Sequence, residues 1–311
     1  MRSFGFPRGG ASFPLAGLSV ALLAAGCSIE FNPDRTTTVS RRLNQTIPQP
    51  DIGSLDIDAL NGDITITVDP AEGVMRLTAI RRATSRSQAL AESAVDQIEV
   101  GIRVAESQPP HVFIDVDAPP DDEFTSYEVE FEIVIPAGML IDVNGERGDV
   151  TIDGNDGQVS VRLRERGNIT VRDQTGDVIA RSGAGSVSVT TQTGDVEVVT
   201  TTGRVSVATG EGSVEVENTS GDVGITASPV PGGAVIAASV SGGISVQVPT
   251  GFAAELFMST IAGNLAFDFA GFDTEDVNVD FERRRVTATL NGGGGQIELQ
   301  TQFGDVDFEG F

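Results

Sequence analysis

The chain contains 311 residues, of which 45 are acidic and 20 basic, so its formal net charge is −25 at pH 7. Every basic residue is an arginine. Negative charge repels nucleic acid and anionic lipid surfaces, so we expect no nucleic-acid partner. The single cysteine excludes disulfides within the chain, and the lack of lysine excludes Schiff-base and serine–lysine chemistry.

The first 26 residues have the pattern of a bacterial export signal. Arg2 and Arg8 give a weakly basic start, and the apolar run over 15–25 is too short to span a bilayer as a helix. The run ends in Leu-Ala-Ala-Gly before Cys27, which resembles the lipobox of bacterial lipoproteins. We therefore predict a lipoprotein signal peptide at 1–26 and a diacylated Cys27 as the first mature residue. An ordinary secretory signal that leaves a free thiol is the alternative.

The segment that follows predicts where the protein resides. Two acyl chains give stable membrane anchoring. Ser28 replaces the aspartate that retains enterobacterial lipoproteins in the inner membrane, which favours the outer membrane, facing either the periplasm or the cell surface. Residues 27–50 are polar and proline-containing, so we predict a lipid anchor followed by a polar tether.

Residues 51–140 predict a mixed, β-rich N-terminal capping region. Alternating apolar residues indicate strands around 62–68, 74–81, 97–104, 111–117 and 127–135. Apolar residues at helical spacing indicate one short helix at 86–97, and Pro119-Pro120-Asp121-Asp122 indicates a loop.

A unit of the form Gly-x-Val/Ile-x-Val/Ile recurs through the middle of the chain. Seven of eight successive steps between its glycines are nine residues and one is ten. These repeat turn glycines are Gly148, Gly157, Gly167, Gly176, Gly185, Gly194, Gly203, Gly212 and Gly221. The glycine suits a turn with positive φ, and the alternating β-branched residues indicate a short strand with one buried face.

Such a strand cannot bury its apolar face alone, so the coils must stack. We predict an all-β, single-chain β-solenoid of nine-residue repeats, regular over 141–250. Two strands per coil (18 residues) and three (27) both remain open, and a meander of hairpins is the rival fold. Taken alternately, the outward positions give one small, hydroxylated face and one that becomes acidic. They are Thr151, Ser160, Thr170, Ile179, Ser188, Glu197, Ser206, Glu215 and Gly224.

Residues 251–311 are predicted to form C-terminal coils and a cap. This stretch is rich in phenylalanine, which is too bulky for a narrow valine core, so we expect wider coils at this end. The residues concerned are Phe252, Phe257, Phe267, Phe269, Phe272 and Phe281.

Several motifs in this order resemble a family of bacterial envelope proteins regarded as adhesins and also catalogued as a domain of unknown function (DUF4097-like). The motifs are the early Gly62-Asp63-Ile64 unit, the Val134-Ile135-Pro136-Ala137-Gly138 lead-in, the Gly-Asp-Val repeats and the closing segment 293–306. The resemblance covers about residues 50–311. It implies a β-solenoid without accepted catalytic residues.

Candidate chemical sites are few. The Gly-Asp pairs could suggest calcium, but Arg204 and several neutral residues occupy the same turn position, so turn hydrogen bonds are the favoured explanation. Arg162, Arg164 and Arg166 alternate along one strand and could contact an anionic ligand; a solvated strand face is the plainer interpretation. His111, the only histidine, is expected at a surface or strand end. We predict no catalytic, metal or cofactor site.

These observations predict a non-enzymatic, lipid-anchored envelope protein that presents a repetitive solenoid surface for adhesion to a glycan or protein of the envelope. One alternative is a periplasmic structural or envelope-stress component that acts by self-association. Another is a glycan-cleaving β-helix enzyme, which the uniformly short turns disfavour because they leave no loops to build a cleft.

Overall fold

The computed structural model describes residues 36–47, 52–71, 73–105 and 109–311. The predicted signal peptide and Cys27 lie outside these residues. Within them, no helix has the length and apolar character that a bilayer span requires. The N-terminal elements are β1 (Thr37–Ile47), β2 (Ser54–Asp58), β3 (Ile64–Val68), β4 (Met75–Ser85), α1 (Gln88–Val95), β5 (Glu99–Ala105), β6 (His111–Asp117) and β7 (Thr125–Ile135).

The remaining elements are all strands. The central ones are β8 (Leu140–Arg147), β9 (Val150–Asp153), β10 (Val159–Arg166), β11 (Ile169–Gln174), β12 (Val178–Ala184), β13 (Val187–Thr193), β14 (Val196–Thr202), β15 (Val205–Glu211), β16 (Val214–Ser220), β17 (Val223–Ala227), β18 (Ala234–Ser241) and β19 (Ile244–Val248). The last are β20 (Ala254–Ala262), β21 (Leu265–Phe267), β22 (Thr274–Asp280), β23 (Arg285–Leu290), β24 (Gly295–Phe303) and β25 (Val306–Gly310).

Each nine-residue repeat forms one strand, and two successive strands form one coil. β12 pairs in parallel with β14, and β13 pairs in parallel with β15, so alternate repeats build separate sheets. Sheet A has 12 strands in the order β1-β4-β7-β3-β9-β11-β13-β15-β17-β19-β25-β21. Sheet B has 13 strands in the order β22-β23-β20-β24-β18-β16-β14-β12-β10-β8-β2-β6-β5. The predicted solenoid is confirmed, its coil has two strands, and the parallel pairing is incompatible with a hairpin meander.

The core lies between the two sheets and consists mainly of stacked β-branched residues. In β14 and the adjacent β16, Val196 lies beside Val214 and Val198 beside Val216, and all four are at most 2% exposed. Burial of one such side chain stabilises the fold by about 1.5–3 kcal/mol. Because each strand supplies only a few of these residues, the coils depend on their neighbours for a core.

The turn from a sheet B strand to the next sheet A strand explains every second repeat glycine. Gly203 has φ +145°, and a Cβ atom there would lie within 3.0 Å of the carbonyl oxygen of Gly185 in the preceding coil. Both the conformation and the close approach of the backbones require glycine. We call this edge of the solenoid the glycine corner, formed by Gly62, Gly148, Gly167, Gly185, Gly203, Gly221, Gly242, Gly304 and Gly263.

Polar side chains occupy one inward row of sheet B beside the glycine corner. The Ser182 hydroxyl donates to the carbonyl oxygen of Gly167 at 3.2 Å, and Thr301 donates to that of Gly242 at 3.1 Å. A buried carbonyl without a donor is costly, so these hydroxyls stabilise the tight turns from inside the core. Thr200 and Ser239 occupy the same row, and their hydroxyls have no partner among the described residues.

The N-terminal region combines two parallel coils with antiparallel end strands. β2 and β3 form a regular coil against β8 and β9, and β6 and β7 form the next one outward. The strands predicted for this region and its helix are all present. Ser87 caps α1 by accepting from the Leu90 amide, and Ala91, Ala94 and Val95 of the helix are buried.

The tether prediction for residues 27–50 is wrong over Thr37–Ile47, which forms β1. This strand pairs antiparallel with β4 along its whole length, from Thr37 opposite Ser85 to Ile47 opposite Met75. It lies at the edge of sheet A and is mostly exposed. An edge strand with a solvated face needs few apolar residues, which is why its polar sequence resembles a linker.

At the C-terminal end, the order of the coils departs from the order of the chain. The last coil, β24 and β25, lies between the coil of β18 and β19 and the coil of β20 and β21. The antiparallel strands β22 and β23 carry the chain away from the stack and back, so that β24 can pair in parallel with both β18 and β20.

The phenylalanines at this end fill the core only in part. The expectation that they all lie inside wider coils was therefore wrong. Phe267, Phe269 and Phe272 are half-buried against the core, the last two beside the fully buried Phe308. Phe257 instead points outward on β20 beneath Arg285, and Phe281 is 85% exposed. Bulk alone therefore did not predict which side of the sheet an aromatic residue occupies.

Candidate binding surfaces

The turn carboxylates link one coil to the next. Asp149 Oδ1 accepts from the amide of Asn168 at 2.8 Å, and Asn168 Oδ1 accepts from the amide of Ser186 at 2.8 Å. Asp177 and Asp195 form the same contact at the opposite corner, at 3.0 Å. These side chains therefore satisfy turn amides, as predicted, but the amide belongs to the neighbouring coil rather than to the same turn. Among the described residues, no three metal-ligating side chains lie close enough to hold an ion.

The predicted hydroxylated face is a row of side chains on the outside of sheet A. In-register pairing places Thr170 beside Thr151, Ser188 beside Thr170, and Ser206 beside Ser188. Parallel strands lie about 4.8 Å apart, so the row has that repeat. We call it the hydroxyl row, formed by Thr65, Thr151, Thr170, Ser188, Ser206 and Ser245, with Gly224 interrupting it.

The three candidate arginines do not form one stripe. Arg162 and Arg164 lie on the outer side of β10, whereas Arg166 lies at the glycine corner, because the register of β10 against β8 shifts between Leu163 and Arg166. In the described part of the chain none of the three arginines lies in an ion pair. Arg166 is the register partner of Arg147.

Arg147 and Arg166 border a depression where the capping region meets the glycine corner. Two adjoining cavities of about 340 and 520 Å³ share Asn61, Asp121, Tyr127, Glu128 and Arg147. Pro119 and Pro120 line the first cavity, and Arg166 lines the second. We call the two together the corner groove.

The charges of the corner groove are partly paired. Arg147 forms an ion pair with Glu165, and its Nη1 atom lies 3.9 Å from Asp121 Oδ2. The hydrogen bond from Arg147 lowers the pKa of Glu165. Burial, followed by the nearby Asp122 and Asp121, raises the pKa of Tyr127. An aromatic ring beside prolines, with arginine and carboxylate groups around it, provides both an apolar surface and hydrogen-bonding groups for a polar ligand.

His111 lies in the capping region, on the outer side of sheet B at the start of β6. Its Nε2 atom lies 2.6 Å from Asp56 Oδ2, and its ring stacks on Phe113 with the centroids 4.1 Å apart. Asp56 in turn lies opposite Asp142, whose pKa is raised by burial and by Asp56. The histidine is thus at a strand end, as predicted.

The parallel two-strand coils, the glycine corner and the turn carboxylates extend almost to the end of the chain, and residues 36–309 match the family model described as Toastrack DUF4097. The chain belongs to this family. No curated protein matches it.

Several solved structures resemble this Toastrack chain at low sequence identity. A candidate cell adhesion protein of Clostridium sporogenes is 10% identical, with 88% of this chain and 100% of that chain covered and a TM-score of 0.27. A candidate adhesin of Bacteroides fragilis is 13% identical, with coverage of 87% and 97% and a TM-score of 0.29. One of Parabacteroides merdae is 11% identical, with coverage of 87% and 96% and a TM-score of 0.25.

Sequence reasoning on this Toastrack chain did not single out the corner groove. The loop containing Pro119 and Pro120 was predicted, but not its position over the glycine corner. The one signal available was Tyr127, the only tyrosine in a chain without tryptophan. Arg147 gave none, because it becomes a neighbour of Arg166 only when two coils stack.

Proposed function

We propose that this protein is a non-enzymatic, lipid-anchored component of the cell envelope that binds a glycan or a protein through the outer surface of its solenoid. The observation that carries the proposal is the hydroxyl row. In-register coils repeat the same small polar side chain at a fixed spacing along the outside of sheet A. A flat repetitive surface suits an extended partner that itself repeats, such as a glycan chain.

The sequence supports the envelope part of the proposal through the lipobox-like segment before Cys27. Metabolic labelling with radioactive palmitate tests it, with the Cys27→Ser variant as the control. Label in the wild-type protein that is absent from the variant is expected. Equal label in both proteins, or none in either, would contradict the anchor.

The binding part is tested with purified protein immobilised on beads and incubated with envelope extract at moderate salt. The test variant replaces Ser188 and Ser206 with arginine, which places two bulky side chains in the middle of the hydroxyl row. A matched control replaces Thr274 and Asn278 of the exposed edge strand β22 with arginine, which adds the same positive charge. Retention of a glycan or protein by the wild type and control, and its loss from the row variant, is expected. A row variant that retains the same material would contradict a role for this row.

The self-association alternative finds little support in the edge strands of sheet A. Exposed strand edges invite pairing with another chain unless they are short or charged. At one end of sheet A, β21 has only three residues, and at the other end β1 carries Arg41 and Arg42. Both edges therefore have features that oppose strand addition.

A further inference from the structure

The outer side of sheet B is chemically different from the hydroxyl row over its C-terminal half. Five adjacent strands, β14, β16, β18, β24 and β20, contain no basic residue. Their carboxylates are Glu197, Glu215, Glu217, Glu298 and Glu255. Arg181 on β12, beyond one side of this area, already pairs with Glu197, and Arg285, beyond the other side, lies over the Phe257 ring.

A shallow trough of about 530 Å³ crosses these five strands, lined mainly by polar residues and by a few exposed apolar ones. Its walls include Val199, Ala238, Val240 and Ile261. Ile261 is 69% exposed and Val240 is 39% exposed, although both lie in regular strands. Exposed β-branched side chains that line a common depression are typical of a surface that another molecule covers.

The dimensions of the trough suit an extended polypeptide. Five strands at about 4.8 Å spacing give a length of roughly 19 Å, which accommodates about six residues of extended chain. The polar wall contributes the side-chain amides of Gln302 and Gln300, the second of which also donates to Glu298. Apolar contacts for alternate residues and amide groups for the backbone together match the requirements of a peptide.

The charge of the trough selects among peptides. Glu217 lines the trough and Glu215 lies beside it on the same strand, and both side chains are exposed. Neither has a hydrogen bond or an ion pair within the described ranges. Unlike Glu197, they are therefore available to a partner. An acidic peptide would be repelled by these two carboxylates, which is unfavourable. At the Ile261 end of the trough, Arg284 is already engaged, because its Nη1 atom donates to the Ile261 carbonyl oxygen at 2.6 Å.

We propose that this trough docks a basic, amphipathic segment of another protein, bound in an extended conformation with its apolar residues against Val240 and Ile261 and its basic residues at Glu215 and Glu217. This inference rests on the proposed binding function and names a partner class for a second face of the solenoid. It differs from the hydroxyl row in position and in chemistry, so the two surfaces can be tested separately.

The test measures fluorescence polarisation of a labelled ten-residue peptide of alternating lysine and leucine, added to the full chain at low and moderate salt. Glu215→Gln with Glu217→Gln is expected to weaken binding about tenfold, and Ile261→Ser about fivefold. The control, Glu132→Gln with Asp307→Asn, removes the same charge from the outer side of sheet A and is expected to leave binding within about twofold.

Three results would overturn the proposal. The first is no saturable binding of the peptide by the wild-type chain. The second is an equal loss in the control, which would show attraction by net charge alone. The third is binding of calcium, but not of the peptide, that depends on Glu215 and Glu217. The Glu215→Gln, Glu217→Gln variant is also incubated with envelope extract. If it retains envelope material as the wild type does, failure of peptide binding counts against the trough alone and not against the proposed function.

Discussion

The Oδ1 atom of Asp195 accepts a hydrogen bond at 2.8 Å from the backbone amide of Ser213, which holds the same turn position one coil later. Replacement of Asp195 by alanine leaves this amide without its partner, so the free energy of unfolding should fall by about 1 kcal/mol. Asp195→Asn keeps an acceptor, as Asn168 does towards Ser186, and should stay within about 0.5 kcal/mol of the wild type. Urea denaturation measures both; equal effects of the two variants would contradict the assigned role.

Gly203 provides a test of the glycine corner. An added Cβ meets the backbone of Gly185 and must adopt a strained φ, so Gly203→Ala should lower the free energy of unfolding by at least about 3 kcal/mol. Gly251→Ala is the matched control, since a Cβ there meets nothing within 4 Å. Thermal unfolding measures the two variants. A melting temperature for Gly203→Ala close to that of the control would show that the backbones of successive coils are not in close contact at this corner.

The buried hydroxyls of Thr191 and Thr200 should respond differently when each threonine is replaced by valine. Thr191 donates to Thr209 Oγ1 at 2.9 Å, so Thr191→Val should lower the free energy of unfolding by about 1 kcal/mol. The Thr200 hydroxyl is buried and has no partner in the described structure, so Thr200→Val should be neutral or stabilising. Denaturant titration of both variants provides the comparison. A larger loss for Thr200→Val than for Thr191→Val would mean that the Thr200 hydroxyl has a partner in the folded protein.

Asp142 should make stability depend on pH in a defined direction. Burial and the neighbouring Asp56 raise its pKa, so the folded chain holds this proton more tightly than the unfolded chain. The stabilisation from this group is therefore full below about pH 4 and is lost as the pH rises through the folded pKa.

Asp142→Asn stays neutral throughout and should be more stable than the wild type at pH 7, with an advantage that shrinks as the pH falls towards 4. Melting temperatures of the two proteins across this range measure it. A difference in melting temperature between the two proteins that is the same at every pH would contradict this, because it would mean that Asp142 has the same pKa in the folded and unfolded chains.

Much of the fold could be predicted because its determinants are local. The spacing of Gly185 and Gly203 and the alternation of Val196 and Val198 define a strand and a turn without knowledge of the neighbours. The order of the coils is not local. Nothing in the residues of β24 indicates that it lies between β18 and β20, since all three strands offer a similar aliphatic inward face.

The binding surfaces were predicted to the extent that they follow the repeat. The hydroxyl row was predictable because its residues recur at equivalent positions. The different positions of Arg164 and Arg166 were not predictable, because a register shift interrupts the alternation of inward and outward residues in β10. The corner groove and the trough depend on which strands become neighbours, which a linear pattern does not specify.

The two-strand coil is the basis of the hydroxyl row, the corner groove and the trough, and cysteine cross-linking tests it most directly. Ser188 and Ser206 lie side by side on β13 and β15, at a strand spacing within disulfide range, whereas Glu197 lies between them in sequence but on sheet B. In a Cys27→Ser background, mild oxidation should form a disulfide in the Ser188→Cys, Ser206→Cys variant and none in Ser188→Cys, Glu197→Cys. A disulfide in the second variant and none in the first would contradict the 18-residue coil.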